Sequence, residues 1–360
     1  MGEGTGVFKA LPATFNLRCF SLYLTSMAWF GKKDKLQIIT FQSYGTDTHF
    51  YARGRALEDE EIDLSKKGFF NLLWNSVKRF EVDEIRNTDI TIQFQDGRAI
   101  TGTTDKRGYY RVETTVESLN RLANDEGWVN YEISYSDTAL KREILHQNRF
   151  PGELLIPSKK ADFGVISDID DTILKTGVVS SLKWKVVFNT FFKRPDQRTP
   201  LKGAAQFYGQ LHRGKSGKAA NPIFYVSHSP WNLYRYLELF LTKNNFPKGP
   251  VLLRNFPTWG GLGSGGEKPQ KQKEIINILK TYPDLKFILI GDSGEHDADI
   301  YKEIAELHPD NILAIYLRSV DHKRKMERVK GLFEKYKVTP VLLVESSEQA
   351  IEHATANGFI

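Results

Sequence analysis

The hydrophobic and polar positions of this chain follow two different patterns on either side of about residue 160. Between residues 35 and 135, short stretches alternate apolar and polar residues, which is typical of half-buried β-strands. Turn signals separate these stretches, and Asp96-Gly97 is a strong hairpin signal between two of them. The pattern predicts a small β-sandwich-like domain at residues 35–135, interrupted by a helical segment at residues 68–79.

From residue 163 onward, continuous apolar stretches alternate with segments of helical period. This alternation predicts an α/β fold in which helices cover a parallel sheet. The predicted strands are residues 163–167, 223–227, 251–254, 287–290, 312–317 and 340–344. The predicted helices include residues 231–244 and residues 270–280, the second with a buried stripe of Ile275, Ile276 and Leu279. The α/β domain therefore extends over residues 162–360, and the polar residues 136–161 are predicted to be a linker.

The N-terminal residues 1–34 are predicted to be a helical segment. Within them, the apolar stretch at residues 15–30 is too short to span a membrane and has no clean cleavage site after it. We therefore expect a packed or amphipathic helix rather than a cleaved signal. The single cysteine, Cys19, excludes an internal disulfide and fits a reducing compartment. These features favour a cytoplasmic protein whose membrane contact, if any, is peripheral.

The net charge of +6 is unevenly distributed. Residues 178–220, which we interpret as an insert, carry nine Lys or Arg residues against one acid, Asp196, with aromatic residues between them. Such a composition suits contact with anionic lipid headgroups, and it would also suit a nucleic-acid backbone. A third interpretation is a cap whose aromatic residues pack over a site while the charges face water. Nucleic acid is not the expected partner, although the charge alone does not separate it from lipid.

Chemically active side chains lie at the ends of the predicted strands. Asp168 and Asp170 follow the first strand, and alternate strand residues project to the same side. Two crowded carboxylates repel, and a divalent cation or a shared proton is the usual remedy. Ser227 ends the second strand, Asp292 follows the fourth, and Lys273 lies in the first turn of the helix at residues 270–280. All can reach the carboxyl edge of the sheet, where open α/β folds bind ligands.

Three sequence strings make a family resemblance specific. They are Ser-Asp-Ile-Asp-Asp-Thr-Ile at residues 167–173, Tyr-Val-Ser-His-Ser-Pro-Trp-Asn-Leu-Tyr at residues 225–234 and Ile-Gly-Asp-Ser-Gly-Glu-His-Asp at residues 290–297. With the lysine between them, they resemble the haloacid dehalogenase superfamily of phosphatases. Within it, they resemble the catalytic domain of the actin-patch-associated phosphatidate phosphatase family.

This resemblance covers residues 163–360 and implies a haloacid dehalogenase-like Rossmannoid parallel sheet. Residues 35–135 also resemble the β-rich domain that precedes the phosphatase domain in bacterial members of the family. Two positions depart from the usual pattern, since Gln272 stands where His is expected and Glu295 where Gln is common. Neither departure removes a catalytic group.

The resemblance implies a role for each strand-end residue. Asp168 is the expected nucleophile, which attacks phosphorus to give an aspartyl-phosphate. Asp170 is the expected general acid and then base. Ser227 and His228 are expected to bind the substrate phosphate, and Lys273 to neutralise its charge as a catalytic group.

The resemblance also implies Mg²⁺ as cofactor. Its expected ligands are the side chains of Asp168 and Asp292 and the backbone carbonyl of Asp170. Thr172 and Ser293 are expected to support the site. Asp297 is expected to orient Lys273 or a metal-bound water, although an acid favoured by a helix N-terminus is the alternative interpretation.

The substrate implied by the resemblance is phosphatidate, which would give diacylglycerol and phosphate. One alternative is a phosphatase of the same type that acts on a soluble phosphomonoester or on a nucleic-acid end. A second alternative is a non-catalytic lipid-binding scaffold. The scaffold is the weakest of the three, because a degenerate site should have lost at least one of the four expected catalytic and metal-binding side chains, and all are present.

Overall fold

The structure is a computed structural model. It describes residues 35–59, 85–136, 142–169, 203–254, 269–294, 296–319 and 322–360. The predicted helices at residues 1–34 and 68–79 lie outside these ranges, as do residues 178–202 of the insert. Asp170 and Thr172 also lie outside them.

The first part of the chain is β-rich, as predicted. Its strands are β1 (Lys35–Phe41), β2 (Ser43–Tyr44), β3 (His49–Asp59), β4 (Asp89–Phe94), β5 (Ala99–Thr103), β6 (Tyr109–Thr115), β7 (Trp128–Tyr135) and β8 (Phe150–Leu155). They form one sheet in the order β1-β3-β6 and another in the order β2-β8-β7-β4-β5. The alternation of apolar and polar residues explains this arrangement, since Ile90, Ile92 and Phe94 of β4 all point into a core that both sheets share.

The predicted linker at residues 136–161 contains a strand. β8 pairs antiparallel with β7 and parallel with the short strand β2, so it lies inside its sheet. Pro151 and the polar neighbours of this segment favoured a connection at the sequence level. Burial decides otherwise, because Phe150, Leu154 and Leu155 all belong to the protein core.

The second part alternates strands and helices. Its elements are β9 (Gly164–Asp168), α1 (Ala204–Arg213), β10 (Ile223–Pro230), α2 (Tyr234–Lys243), β11 (Val251–Arg254), α3 (Gln270–Thr281), β12 (Phe287–Asp292), α4 (Asp297–Leu307), β13 (Ile312–Arg318), α5 (Lys323–Phe333), β14 (Val341–Val344) and α6 (Ser347–Ala356). The sheet order is β11-β10-β9-β12-β13-β14, and every pairing is parallel. The predicted α/β fold with a parallel sheet is confirmed.

The described end of the basic insert packs in the core. Ala204, Phe207, Tyr208 and Leu211 are buried on α1 at the spacing of one helix face. The prediction that the aromatic residues of the insert form a cap or a lipid-facing surface is therefore wrong for Phe207 and Tyr208. Their helical spacing turns both rings inward, whereas Arg213 and other basic residues of this stretch stay at the surface.

The β-rich part and the α/β part share one apolar core. Ile39, Phe41 and Leu57 belong to the same buried cluster as the helices and strands of the α/β part. A second contact lies on the other side, where the hydroxyl of Tyr282 donates to the carbonyl of Gly45 at 2.8 Å. Within the described ranges, no helix has the length and apolarity needed to span a membrane.

Candidate active site

Asp168 is the last residue of β9 and is completely buried. β9 is an interior strand with β10 on one side and β12 on the other, so five buried residues lead directly to this carboxylate. The register places Val226 of β10 beside Asp168. The predicted nucleophile therefore lies at the carboxyl edge of the sheet, between the strands that carry Ser227 and Asp292.

Lys271, rather than Lys273, brings its amine to this carboxylate. The Nζ atom of Lys271 lies 2.7 Å from Oδ1 of Asp168 and also donates to Oδ1 of Asp297. Lys271 is only 1% exposed, whereas Lys273 is half-buried. Two residues along a helix turn the side chain by about 200°, so the two lysines occupy different faces of α3.

The lysine at the site could have been identified from the helical period. Ile275 and Ile278 are buried on α3, and Lys271 precedes them by four and seven residues on the same face. The predicted stripe instead included Ile276, which is half-buried. The prediction of Lys273 rested on its place in the first turn of the helix, a turn that Lys271 shares.

Asp292 and Asp297 complete an acidic cluster with Asp168. Asp292 ends β12 and Asp297 begins α4, and both are buried. The backbone N–H of Asp292 donates to Oδ2 of Asp297 at 3.3 Å. Carboxylate oxygens of the three residues lie within 4.8 Å of one another. The acids that follow two separate strands therefore meet at one point.

Gly291 permits this close approach. A Cβ atom at position 291 would lie 2.4 Å from Oδ2 of Asp297 and 2.7 Å from the ring of Tyr301. Both distances are far below van der Waals contact. Glycine at this position therefore allows Asp297 to pack directly against β12 and to reach Lys271.

The cluster contains more negative than positive charge. Burial alone would lower the pKa of Lys271, but the carboxylates of Asp168 and Asp297 outweigh burial and hold this pKa well above its usual value. Burial raises the pKa of Asp297 to about 8, and the charges of Asp168 and Asp292 add to the rise although Lys271 opposes it. One buried amine thus lies among three buried carboxyl groups.

These residues fit a divalent cation. The three side chains offer only oxygen donors, which is the donor type that Mg²⁺ and Ca²⁺ prefer. A cation here would also offset the negative charge that raises the pKa of Asp297. Asp168 and Asp292 were the predicted side-chain ligands, and the structure brings them together. Asp170, the third predicted ligand, lies outside the described residues.

Ser227 and His228 lie near the end of β10. The hydroxyl oxygen of Ser227 accepts a hydrogen bond from the backbone N–H of Ser229 at 2.8 Å, within the part of β10 where the register with β11 shifts. Ser227 is buried, and His228 is half-buried. Their predicted phosphate contacts remain predictions, but both side chains emerge beside the strand that ends at Asp168.

Ser293 braces the loop after Asp292. Its hydroxyl donates to the backbone carbonyl of Arg318 at 2.7 Å and lies 3.1 Å from the sulfur of Met326. The amine of Lys325 donates to the carbonyl of Gly294 at 2.6 Å. These contacts tie the acidic loop to β13 and α5, and the supporting role of Ser293 in the site stays a prediction.

Tyr208 is connected to Asp168 through Ser167, and nothing in the sequence around Tyr208 indicates this contact. The hydroxyl groups of Tyr208 and Ser167 lie 2.5 Å apart, and the Ser167 hydroxyl also donates to the backbone carbonyl of Asp168 at 2.8 Å. All three residues are buried. α1, the end of the basic insert, is therefore connected by hydrogen bonds to the predicted nucleophile.

Part of this chain is similar in sequence to known proteins. Phosphatidate phosphatase APP1 of Saccharomyces cerevisiae is 39% identical over 173 residues, which cover 47% of this chain and 27% of that protein. An uncharacterized protein of Schizosaccharomyces pombe is 31% identical over 160 residues, which cover 43% of this chain and 25% of that protein. The chain thus spans about a quarter of the length of the curated relatives it matches.

The chain also has a match among solved structures and a match to a family of known proteins. The alignment with the crystal structure of Bacteroides thetaiotamicron EndoBT-3987 with Man5GlcNAc product covers 71% of each chain at 8% identity. Its TM-score of 0.22 is too low to indicate a shared fold. Residues 163–319 match the family described as phosphatidate phosphatase APP1, catalytic domain. This range contains the whole Asp168, Lys271, Asp292 and Asp297 cluster. Residues 163–319 are therefore similar to the catalytic domain of the phosphatidate phosphatase APP1 family.

Proposed function

We propose that this chain is a Mg²⁺-dependent phosphatidate phosphatase of the haloacid dehalogenase type, which hydrolyses phosphatidate to diacylglycerol and phosphate. One observation carries the proposal: buried Lys271 bridges Asp168 and Asp297 at the carboxyl edge of a parallel sheet, inside the segment that matches the APP1 catalytic domain. We also propose that the enzyme is cytoplasmic and acts at a membrane surface, because its proposed substrate is a lipid.

Asp168 is the proposed nucleophile. A carboxylate oxygen of Asp168 forms a bond to phosphorus while the bond from phosphorus to the glycerol oxygen breaks, which leaves an aspartyl-phosphate. Asp170, two residues further along, donates a proton to the departing alkoxide. It then accepts a proton from the water that attacks the aspartyl-phosphate, and inorganic phosphate and free Asp168 are released. The role of Asp170 rests on the sequence alone.

Lys271 takes the role that the sequence assigned to Lys273. Its ammonium group holds Oδ1 of Asp168, so the nucleophile has a fixed orientation before the substrate arrives. The same charge lies where negative charge accumulates on the phosphoryl oxygens during the reaction. Asp297 keeps Lys271 in this position through the second ion pair. Ser227 and the N–H groups that follow it complete the proposed phosphate contacts.

Mg²⁺ is the proposed cofactor, held by Asp168, Asp292 and the carbonyl of Asp170. When bound, it would supply positive charge against the repulsion between an anionic nucleophile and an anionic ester. The support for this assignment is the buried set of oxygen donors and its excess negative charge. Ser293 holds the loop that carries Asp292 through its bond to Arg318.

The test is Mg²⁺-dependent phosphate release from phosphatidate in mixed micelles, measured beside a soluble aryl phosphate. We expect preference for the lipid, with activity abolished by chelator and by Asp168→Asn. Turnover of the aryl phosphate alone would keep the chemistry and exclude phosphatidate as substrate. Absence of both activities would direct the search to phosphorylated nucleic-acid ends, and then to a non-catalytic scaffold.

A further inference from the structure

Two strands of the β-rich part hold one indole of the α/β part. Phe41 on β1 and Arg53 on β3 are directly opposite in the antiparallel register, so their side chains emerge on the same face of the sheet. The Phe41 ring stacks on Trp231 with centroids 4.5 Å apart and an interplanar angle of 16°. The guanidinium carbon of Arg53 lies 3.6 Å from the centroid of the same indole.

Trp231 is directly connected to the proposed phosphate-binding residues. It begins the 3₁₀ turn Trp231–Leu233 immediately after β10, four residues beyond Ser227, and is only 4% exposed. β10 is itself in register with β9, where Val226 pairs with Asp168. Because so few residues separate Trp231 from Ser227, a displacement of the indole would move the end of β10.

The end of β1 also holds the other end of this turn. The backbone N–H of Gln42 donates to the hydroxyl of Tyr234 at 2.8 Å, and the Phe41 ring lies 4.7 Å from the ring of Tyr234. Trp231 and Tyr234 both belong to the string at residues 225–234 on which the family resemblance of the sequence partly rests. The structure shows what these two aromatic residues contact, namely the β-rich part.

Arg53 is less favourable for stability than an apolar residue of similar size would be at this position. Its Nη1 atom donates to the hydroxyl of Tyr51 at 3.2 Å, but Nε and Nη2 are buried and have no hydrogen-bond partner among the residues that the structure describes. Burying guanidinium nitrogens without acceptors opposes folding, and an apolar side chain of similar volume is often more stable at such a position. The interaction that an arginine adds here is the stacking of its planar cation on Trp231.

We propose that Phe41 and Arg53 are positioning residues of the phosphatase site. They fix Trp231, and through it residues 227–229, in the place that binds the phosphoryl group of the substrate. The identity of this ligand rests on the proposed function. The β-rich part is then a component of the active site, rather than an independent module that only targets the enzyme.

The test compares Arg53→Met, Arg53→Lys and Phe41→Leu with two matched controls in the chain of 360 residues. The controls are Arg98→Met, which removes a guanidinium 5.7 Å from the ring of Phe94, and Phe94→Leu, which changes a buried ring of the β-rich core. Each variant is characterised by its melting temperature and by kcat and KM on phosphatidate and aryl phosphate. The affinity for inorganic phosphate is measured by calorimetry, which requires no turnover.

We expect Arg53→Met to melt at or above the temperature of the wild type while kcat/KM falls by about 10- to 100-fold, because small misplacements of binding groups have effects of this size. Phosphate affinity falls with it. Arg53→Lys recovers part of the loss, since an ammonium group also stacks on an indole. Phe41→Leu loses activity by more than its change in melting temperature accounts for, and both controls keep wild-type kinetics.

The proposal is overturned if folded Arg53→Met and Phe41→Leu keep wild-type kcat/KM and phosphate affinity. It is also overturned if activity falls only in parallel with melting temperature, equally in test variants and controls. If the wild type hydrolyses neither substrate, the proposed function fails, but the phosphate titration still decides the positioning role. Loss of phosphate binding in Arg53→Met but not in the controls then supports that role. Phosphate binding that is unchanged in Arg53→Met, or absent from the wild type, excludes it.

Discussion

The amine of Lys271 lies 2.7 Å from Oδ1 of Asp168, although 103 residues separate the two in the chain. The ion pair joins the first turn of α3 to the end of β9, and both side chains are fully buried. A buried ion pair contributes little to stability by itself, but removal of one partner leaves a charge without compensation. Lys271 is therefore the residue whose loss should separate the proposed mechanism from its alternatives.

Lys271→Met should reduce kcat/KM by at least about 100-fold, the size expected when a preorganised charge at a reacting phosphate is lost. Lys273→Met, two residues away on another face of α3, should reduce it far less. Steady-state kinetics on phosphatidate, with melting temperatures for both variants, check this order. The assignment of the lysine is contradicted if Lys273→Met is the more severe change.

Asp292→Asn should remove the response of the protein to Mg²⁺. A ligand that binds only the folded state at 100 times its Kd stabilises it by about 2.7 kcal/mol, and Asp292 is one of three buried oxygen donors in the cluster. Melting curves with MgCl₂ and with chelator should therefore differ for the wild type and coincide for Asp292→Asn. Equal shifts in both proteins would place the cation elsewhere.

Gly291→Ala should destabilise the protein and impair activity together. The new Cβ would lie 2.4 Å from Oδ2 of Asp297, and such overpacking costs about 1–3 kcal/mol. The displaced Asp297 would also release Lys271. Chemical denaturation and kinetics of the same preparation measure both effects.

Gly209→Ala is the matched control for that substitution. Position 209 is inside α1, and apart from the adjacent residues and backbone of its own helix, no atom of the described residues would lie within 4 Å of a Cβ atom there. Alanine in a helix interior is favoured over glycine by about 1 kcal/mol, so this variant should be slightly more stable and fully active. If both alanine variants behave alike, the close approach at Gly291 is not what positions Asp297.

Tyr208→Phe should weaken the support beneath the nucleophile. The substitution removes the hydroxyl that lies 2.5 Å from Ser167 but keeps the buried ring, so a loss of about 1 kcal/mol in the free energy of unfolding is expected. Because the Ser167 hydroxyl also contacts the carbonyl of Asp168, kcat should fall while KM stays nearly constant. Unchanged kcat would limit Tyr208 to a packing role.

Much of the fold follows from local pattern. The strands that end at Asp168 and Asp292 are long apolar stretches with acids directly after them, and both occur where the pattern predicts them. β8 was missed because Pro151 and its polar neighbours resemble a connection. Only the pairing of β8 with β7, set by distant residues, makes it a strand.

The site was partly predictable for the same reason. Parallel strands bring the residues at their carboxyl ends to one edge, so the pattern alone predicts that Asp168, Ser227 and Asp292 lie there. The strand order that makes their strands neighbours comes from the structure. Lys271 could be found only by predicting the correct buried face of α3, which the spacing of Ile275 and Ile278 indicates. The contact between Phe41 and Trp231 follows from no local signal, because it depends on how two separately predicted parts pack.

The shared core has a consequence for anyone who divides this protein. The matched range at residues 163–319 excludes β14 and α6, which extend the parallel sheet, and it excludes the strand that covers Trp231. An excised fragment with these limits would expose a stacked indole on one side and an unpaired edge of β13 on the other. A fragment that keeps Trp231 covered and the β13 edge paired must therefore extend beyond residues 163–319 on both sides.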